Sequence, residues 1–249
     1  MILTILGSGT PVPLLERNNA AYLLEVDNKK LLFDSGAGTI RRLLELKIDL
    51  SDINHIFYTH LHNDHINDLG AIIWSNNYGV MRDIPLNLYG PNGFKKYFKT
   101  LLKELLNPET LYFDINIKEL KNTGMKIDDM RIKTYKTIHS STTESIIYRI
   151  EHKNKSFVYT GDTEYCDEAI EAAKNADVLL AECTCTDNKK VKGHLTPSLA
   201  GKLAAKANAK QLILTHFSPA VLKVPIEQLS GNEFKGKIIL AKDKLKINI

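Results

Sequence analysis

The feature that most constrains the fold of this chain is a group of three histidines and one aspartate within six residues. The group follows an apolar segment at residues 53–58 and consists of His60, His62, Asp64 and His65. Protonated imidazoles this close together repel one another, and neutral ones gain little unless a cation lies between them. Histidine nitrogen and carboxylate oxygen are the ligand set of zinc and related divalent metals. The group therefore predicts a metal site at the carboxyl end of a buried strand.

The same arrangement recurs later in the chain, each time with a ligand-type residue where an apolar segment ends. The residues concerned are His139, Asp162 and His216, and one further histidine, His194, opens a predicted helix. Two other histidines, His55 and His152, are expected to be structural or surface residues, because a lone histidine within a strand usually is.

Without His194, the two groups contain seven candidate ligands. One tetrahedral site needs only about four, so the sequence predicts two ions. We assign the ligands as His60, His62 and His139 on one ion, Asp64, His65 and His216 on the other, and Asp162 between them. A hydroxide between two ions ~3.5–4 Å apart is a strong nucleophile at neutral pH, and the ions also stabilise the oxyanions of a displacement. Zn²⁺ is the expected metal, with Mn²⁺ or Fe²⁺ as alternatives.

Composition places these residues in an ordinary globular chain. The 249 residues are 43% hydrophobic and 25% charged, so a large core needs no disulfides. We expect a single domain over residues 1–249. The net charge of +4 permits a polyanionic partner without requiring one. The odd number of cysteines predicts reduced thiols in a cytoplasmic protein, and no apolar stretch reaches the ~18 residues of a membrane span.

The order of predicted elements favours a layered α/β sandwich over a doubly wound sheet, because strand-rich parts are each followed by helices. Predicted strands lie at residues 1–7, 21–26, 30–33, 53–58, 86–89, 111–117, 130–138, 145–151, 156–160, 178–181 and 211–215, and two short strands flanked by lysines follow at the end of the chain. Predicted helices lie at residues 39–46, 66–78, 94–106, 167–174 and 196–207. The lysines of the helix at 94–106 are expected to face solvent, with a nucleic-acid-facing stripe as the alternative.

Together these residues resemble the metallo-β-lactamase superfamily, whose fold is a four-layer αββα sandwich with metals at one edge. The motifs that carry the resemblance lie at residues 7–10, 34, 60–65, 139, 161–163 and 215–218. Within the superfamily, the chain is most similar to the ribonuclease Z-like branch. The features shared with that branch are Pro13 with Arg17 and Asn18, the segment 89–93, Glu182 with Cys183 and Thr184, and His194 with Thr196.

The resemblance implies roles for three residues. Asp64, besides binding metal, would position or deprotonate the attacking water. Glu182 would orient His194, and His194 would protonate the leaving oxygen, since an alkoxide leaving group needs a proton. The implied activity is that of a dinuclear metal-dependent phosphodiesterase acting on a nucleotide or a nucleic-acid end. A homodimer without membrane attachment is the implied assembly.

Two departures from ribonuclease Z concern tRNA. About two dozen residues separate His139 from Asp162, which is enough for a hairpin but not for the long basic arm that grips tRNA. Pro219 stands in a region where that family tends to carry an arginine. A tRNA 3′-processing endoribonuclease is therefore an alternative, and a lactone, thioester or carboxylic-ester hydrolase is another. A non-enzymatic scaffold is disfavoured, because unused buried ligands would be costly.

Overall fold

Two seven-stranded β-sheets form the framework of the computed structural model, which describes residues 1–79, 82–106 and 108–249. The strands of the first sheet are β1 (Ile2–Gly7), β2 (Ala21–Val26), β3 (Lys29–Phe33), β4 (Ile53–Phe57), β5 (Leu86–Gly90) and β6 (Ile115–Glu119). The second sheet contains β7 (Gly124–Ile127), β8 (Met130–Thr137), β9 (Ser145–His152), β10 (Lys155–Tyr159), β11 (Val178–Glu182), β12 (Gln211–Thr215) and β13 (Lys237–Leu240). The last strand, β14 (Lys246–Asn248), returns to pair with β1 in the first sheet.

Each sheet has an antiparallel part and a parallel part. In the first sheet β1, β2 and β3 are antiparallel, and β3 to β6 are parallel. In the second sheet β7 to β10 are antiparallel, and β10 to β13 are parallel. Parallel neighbours need crossover connections, and these supply most of the helices.

The helices are α1 (Thr39–Glu45), α2 (Asn63–Ile66), α3 (Leu69–Tyr78), α4 (Phe94–Thr100), α5 (Asp167–Ala173), α6 (Pro197–Lys206) and α7 (Ile226–Glu233). A π-helical segment, Leu101–Leu106, extends α4. Within the described residues, none of the helices combines the length and apolar character that crossing a membrane would require.

The hydrophobic core has two layers, because successive side chains of a strand point to opposite faces of its sheet. On β2, Tyr22 and Leu24 pack between the two sheets, whereas Ala21 and Leu23 pack beneath the helices of the first sheet. Successive side chains of a strand point to opposite faces, so a strand buried on both sides is apolar throughout. The predicted αββα sandwich is therefore confirmed, while the single-domain organisation stays a prediction.

Several predicted elements differ from the observed ones. The helix predicted over residues 66–78 is two helices, α2 and α3, and the first begins inside the histidine group at Asn63. The chain is held between them because the Asp68 amide donates to Ser35 O (2.8 Å) and its carboxylate accepts the Ile40 amide (3.0 Å). The strand predicted at 111–117 is Ile115–Glu119. Strand β7 and helix α7 were not predicted, because neither segment shows a clear periodic pattern of apolar residues.

The sheet topology places the candidate ligands at one edge of the sandwich. Strands β8, β10, β11 and β12 run in the same direction, and their carboxyl ends meet there together with the end of β4. A ligand-type residue follows the end of β4, β8, β10 and β12 within three positions. In β11 the last residue is itself of this type, namely Glu182. The carboxyl edge of a partly parallel sheet is where α/β proteins place their sites.

Candidate metal centre

The seven candidate ligands converge into two adjacent groups. The ligand atoms of His60, His62 and His139 lie within 4.8 Å of one another, and so do those of Asp64, His65 and His216. The same atoms also group as His60, His65 and Asp162, as His139, Asp162 and His194, and as Glu182, His194 and His216. The assignment of the ligands to two ions therefore stays a prediction. The closest approaches are His62 Nδ1 to His139 Nε2 (3.0 Å), Asp64 Oδ2 to His216 Nε2 (3.1 Å) and His65 Nε2 to His216 Nε2 (3.2 Å).

Asp162 lies between the two groups and divides its carboxylate between them. Its Oδ1 is 3.4 Å from His65 Nε2 and 3.4 Å from His216 Nδ1. Its Oδ2 is 3.8 Å from His139 Nε2 and 3.9 Å from His60 Nε2. A carboxylate that faces both groups, one oxygen to each, is placed as a bridging ligand would be.

Two buried atoms at this centre lack hydrogen-bond partners, namely His60 Nε2 and Asp162 Oδ1. Leaving such atoms unsatisfied costs roughly 1–3 kcal/mol each, so native proteins seldom do so without a ligand or ion. Burial, with the neighbouring charge of His65, lowers the pKa of His60 well below its ordinary value. The His60 imidazole is thus neutral, with a lone pair free for a metal. The residues present fit divalent cations.

Asp34, which lies just after β3, orients the centre from behind. Its buried carboxylate accepts hydrogen bonds from the Thr59 amide (2.8 Å), from His65 Nδ1 (2.8 Å) and from the Tyr159 hydroxyl (2.7 Å). Asp34 has a left-handed φ of 54°, a conformation that persists in a non-glycine residue only when its surroundings enforce it. Because His65 donates through Nδ1, its Nε2 is left facing the cluster, as metal-binding histidines require.

Other histidines are fixed in the same way. His139 Nδ1 donates to Gly193 O (2.9 Å), and His216 Nδ1 lies 2.8 Å from the Thr184 hydroxyl. Gly193 has φ 85°, and a Cβ there would lie 2.1 Å from His139 O, so only glycine allows this approach. His139 therefore has one nitrogen bonded away from the cluster and the other directed into it. His216 presents Nε2 to Asp64, while its Nδ1 lies near both Thr184 and Asp162.

Glu182 and His194 form a second functional pair beside the ligands. Glu182 Oε1 lies 2.8 Å from His194 Nδ1 and also accepts the Thr163 amide (3.0 Å), while Oε2 accepts the Thr184 amide (3.2 Å). His194 Nδ1 is 3.9 Å from Asp162 Oδ2. Burial alone lowers the pKa of His194, but the hydrogen bond to Glu182 and the charges of Glu182 and Asp162 outweigh it and raise the pKa to about 9. His194 can therefore donate a proton at neutral pH.

One supporting residue had no signal in the sequence. Asp243 accepts the Ser8 amide (3.0 Å) and hydroxyl (2.7 Å) through Oδ1. Ser8 O in turn accepts the amide of Phe217 (2.9 Å), the residue after ligand His216. Arg17 donates to Ser8 Oγ (2.6 Å) and stacks on the Phe217 ring at 4.9 Å. The glycine-rich turn after β1 thus holds the segment that carries His216 in place.

The two histidines predicted to be structural lie outside the centre. His55 Nδ1 is 3.2 Å from the Tyr89 hydroxyl, and burial lowers its pKa to about 4. His152 Nε2 is 3.1 Å from Asp27 Oδ2, on the far side of the sandwich.

Comparison with known proteins extends over nearly the whole chain. A family model described as Anti-Pycsar protein Apyc1 matches residues 1–235. Ribonuclease BN of Proteus mirabilis is 30% identical over 88% of this chain and 89% of its own length. Ribonuclease Z of Protochlamydia amoebophila is 33% identical over 87% of this chain and 86% of its own length.

Solved structures agree with this similarity. The short form of human tRNase Z superposes with a TM-score of 0.84 and 26% identity, covering 100% of this chain and 99% of that one. YhfI of Bacillus subtilis, described as a metallo-β-lactamase fold protein, has a TM-score of 0.85 over 99% of this chain and 98% of its own; at 22% identity it supports the fold alone.

Proposed function

Because this chain belongs to the Anti-Pycsar protein Apyc1 family and to the ribonuclease Z-like proteins of the metallo-β-lactamase fold, we propose that it hydrolyses the phosphodiester bond of a small nucleotide or a nucleic-acid end with two bound metal ions. That the chain is a metal-dependent hydrolase of phosphodiester bonds follows from the family itself. The proposal adds the number of ions, the residues that act and the size of the substrate.

We assign one ion to His60, His62 and His139, the other to Asp64, His65 and His216, and a bridging role to Asp162. Charge balance supports two ions. Four carboxylates line the centre, those of Asp34, Asp64, Asp162 and Glu182. Within the described residues, none of them pairs with a lysine or arginine. Two divalent cations would supply the compensating positive charge. When bound, such ions activate water and stabilise the phosphoryl oxygens, and Zn²⁺ suits this ligand set, with Mn²⁺ or Fe²⁺ as alternatives.

The observation that carries the proposal is the pairing of His194 with Glu182. The carboxylate of Glu182 is fixed by two backbone amides and holds the Nδ1 proton of His194. The other nitrogen, Nε2, is then available to give its proton to an alkoxide leaving group, which phosphodiester cleavage produces and cannot expel well without one. Carboxylic esters with good leaving groups have less need of this proton, so the pair favours phosphodiesters.

Asp64 completes the proposed mechanism on the other side of the phosphorus. Its Oδ2 lies 3.1 Å from His216 Nε2 and 3.6 Å from His65 Nε2, so this oxygen faces the ligand set. We propose that the carboxylate orients the attacking water and accepts its proton. A base on one side and an acid on the other are what an in-line displacement needs.

The size of the substrate is inferred from two short connections. Strand β8 ends at Thr137 and β9 begins at Ser145, and β9 and β10 are joined by a two-residue turn. There is no room in this part of the chain for a long basic arm. The alignment with the Proteus mirabilis protein extends over 275 residues, more than the 249 of this chain, so the relative carries inserted residues. We therefore favour a small nucleotide, cyclic or linear.

Processing of tRNA 3′ ends is the second candidate, and the names of the relatives favour it. The proteins from Proteus mirabilis and Protochlamydia amoebophila are named ribonucleases, and the human neighbour is a tRNase Z. Precursor tRNA therefore belongs in any substrate panel.

The proposal also includes a cytoplasmic homodimer. The cysteines Cys166, Cys183 and Cys185 are buried free thiols, as expected in a reducing compartment. The aromatic side chains of Trp74, Tyr78 and Tyr112 are 41, 57 and 70% exposed and lie beside one another, a surface that a second copy could cover. Light scattering of the purified protein measures the oligomeric state directly.

The decisive experiment is metal analysis of the purified protein followed by a substrate panel. We expect two divalent ions per chain and hydrolysis of bis(p-nitrophenyl) phosphate and of a cyclic or linear nucleotide, with precursor tRNA cleaved less efficiently. Activity on lactones or thioesters with none on any phosphodiester would contradict the proposal. Efficient cleavage of precursor tRNA alone would favour the second candidate.

A further inference from the structure

A short basic loop joins β11 to α6 beside the candidate metal centre. Residues 189–192 read Lys-Lys-Val-Lys, and all four are exposed. In the part of the chain that the structure describes, none of the ammonium groups of Lys189, Lys190 and Lys192 forms an ion pair. Other lysines of this protein do, for example Lys30 with Asp52 at 2.8 Å. Unpaired cations grouped on one loop leave a local positive potential.

Backbone contacts fix this loop at the border of the centre. The amide of Lys189 donates to Thr186 O (3.0 Å), and the amide of His194 donates to Val191 O (3.2 Å). Gly193, next to Lys192, accepts the Nδ1 proton of ligand His139 and packs against its backbone. Consecutive Cα atoms are about 3.8 Å apart, so the Lys192 Cα lies within roughly 8 Å of the His194 Cα.

The carboxylates near the loop are engaged elsewhere. Glu164 accepts the Gly193 amide (3.2 Å), and Asp187 accepts hydrogen bonds from Thr196 and from the Ser198 hydroxyl (2.8 Å) at the start of α6. Glu182 is buried and bonded to His194. These contacts hold the carboxylates to backbone, helix or His194, and within the described residues none of the three pairs with a lysine of the loop, which is exposed and adjoins His194 in the chain.

We propose that the Lys189–Lys192 loop attracts the anionic substrate to the metal centre and holds its negative charge in the bound state. The inference rests on the proposed function, because it concerns the same site. The lysines contact no group that reacts, so they contribute to association and to the Michaelis constant and leave the chemical step to Asp64, Glu182 and His194. The rate at low substrate must then fall as salt screens the loop.

The test compares three variants of the metal-loaded protein. K189Q/K190Q/K192Q removes the charge of the loop, and K189R/K190R/K192R keeps it. The matched control, K126Q/K155Q/K237Q, removes the same charge from exposed lysines at the other end of the second sheet's strands, where each side chain is likewise without an ion pair among the described residues. Thermal unfolding checks that all three fold.

For bis(p-nitrophenyl) phosphate, we expect the glutamine loop variant to raise KM about 10-fold with kcat unchanged and to weaken the dependence of kcat/KM on NaCl. The arginine variant and the control are expected to behave like the unmodified protein. Equal salt dependence in the loop variant and the control would overturn the inference, as would a fall in kcat at constant KM.

A binding measurement separates this inference from the proposed function. Calorimetry with adenosine 5′-monophosphate reports anion binding without turnover. If the unmodified protein hydrolyses no phosphodiester, the proposed function fails, and the loop is then judged by binding alone. Affinity for the nucleotide that is undetectable in the unmodified protein, or unchanged in the glutamine loop variant, would overturn the inference.

Discussion

The sandwich has histidine–carboxylate contacts at both of its edges, and the two edges differ in what balances the charge. At the metal edge, His65 Nδ1 lies 2.8 Å from Asp34 Oδ2, and both side chains are fully buried. At the opposite edge, which we call the hairpin edge because it carries the turns after β2, β7 and β9, His152 Nε2 lies 3.1 Å from Asp27 Oδ2. The Asp27 side chain there is 60% exposed.

Lysines supply the positive charge at the hairpin edge. Lys153 Nζ lies 3.3 Å from Asp27 Oδ1, and Lys29 Nζ lies 3.0 Å from Asp128 Oδ2, so the two sheets are tied by solvent-exposed pairs. At the metal edge, the charged partners that the described residues offer to Asp34, Asp64, Asp162 and Glu182 are histidines alone. A group of buried carboxylates without a fixed cation is unfavourable. Histidine and aspartate therefore form an exposed contact at the hairpin edge. At the metal edge, the same residue types are buried and need a metal cation to balance their charge.

The largest expected effect comes from removing a proposed ligand and base. Asp64→Ala should lower kcat/KM for bis(p-nitrophenyl) phosphate by on the order of 10³-fold or more and reduce the metal bound per chain. Asp27→Ala, the matching change at the hairpin edge, should alter neither. Turnover and metal content that survive in the Asp64 variant would remove the distinction between the two edges.

The next effect separates proton donation from a structural role. His194→Ala should slow substrates with alkyl leaving groups by roughly 10²–10⁴-fold and slow p-nitrophenyl esters far less, because p-nitrophenolate leaves without a proton. His152→Ala at the hairpin edge is the control and should leave both rates unchanged. Losses of equal size on the two substrate types would show that His194 is no general acid.

Asp34 tests the support behind the ligands. Asp34→Asn should weaken metal binding about 10–100-fold, because the carboxylate that orients His65 becomes an amide. Asparagine tolerates the left-handed backbone of this position. Asp128→Asn is a close control, since Asp128 has a similar φ of 49° at the hairpin edge. Competition with a chromophoric chelator measures the affinities, and equal values for both variants would contradict the orienting role.

The smallest effect is expected at the hairpin edge itself. Asp27→Asn, which removes the charge and tolerates the left-handed φ of 51° at this position, should lower the urea midpoint slightly at low salt. The difference should vanish at high salt, because exposed ion pairs contribute little and are screened. A large loss that persists at high salt would mean that the tie between Asp27 and His152 is a structural element of the core.

Much of the metal centre could be predicted from the sequence because its ligands are signalled locally. His60 to His65 lie in one short segment, and each later ligand follows an apolar strand. Since side chains at the ends of neighbouring parallel strands meet at one edge, their convergence could be expected, whereas their division between two ions stays a prediction. The roles of Glu182 and His194 came from the resemblance to ribonuclease Z, and the structure places them 2.8 Å apart.

Other features depend on contacts between distant parts of the chain. The break between α2 and α3 depends on Asp68 meeting the loop after β3, and a helical period gives no sign of it. The brace from Asp243 to Ser8 joins residues 235 positions apart. The position of Asp34 behind His65, with Tyr159 as a second donor, likewise depends on the register of two sheets.

The sequence by itself therefore determined the chemistry: which residue types stand at strand ends, that they bind divalent metal, and that the fold is a layered α/β sandwich. The tertiary structure decided how the histidine rings are oriented toward the cluster, how Asp162 divides its oxygens, and where the unpaired lysines lie. The reason is physical. Ligand chemistry and strand period are properties of short segments, whereas ring orientation and charge balance are set by partners that only the packing of two sheets brings together.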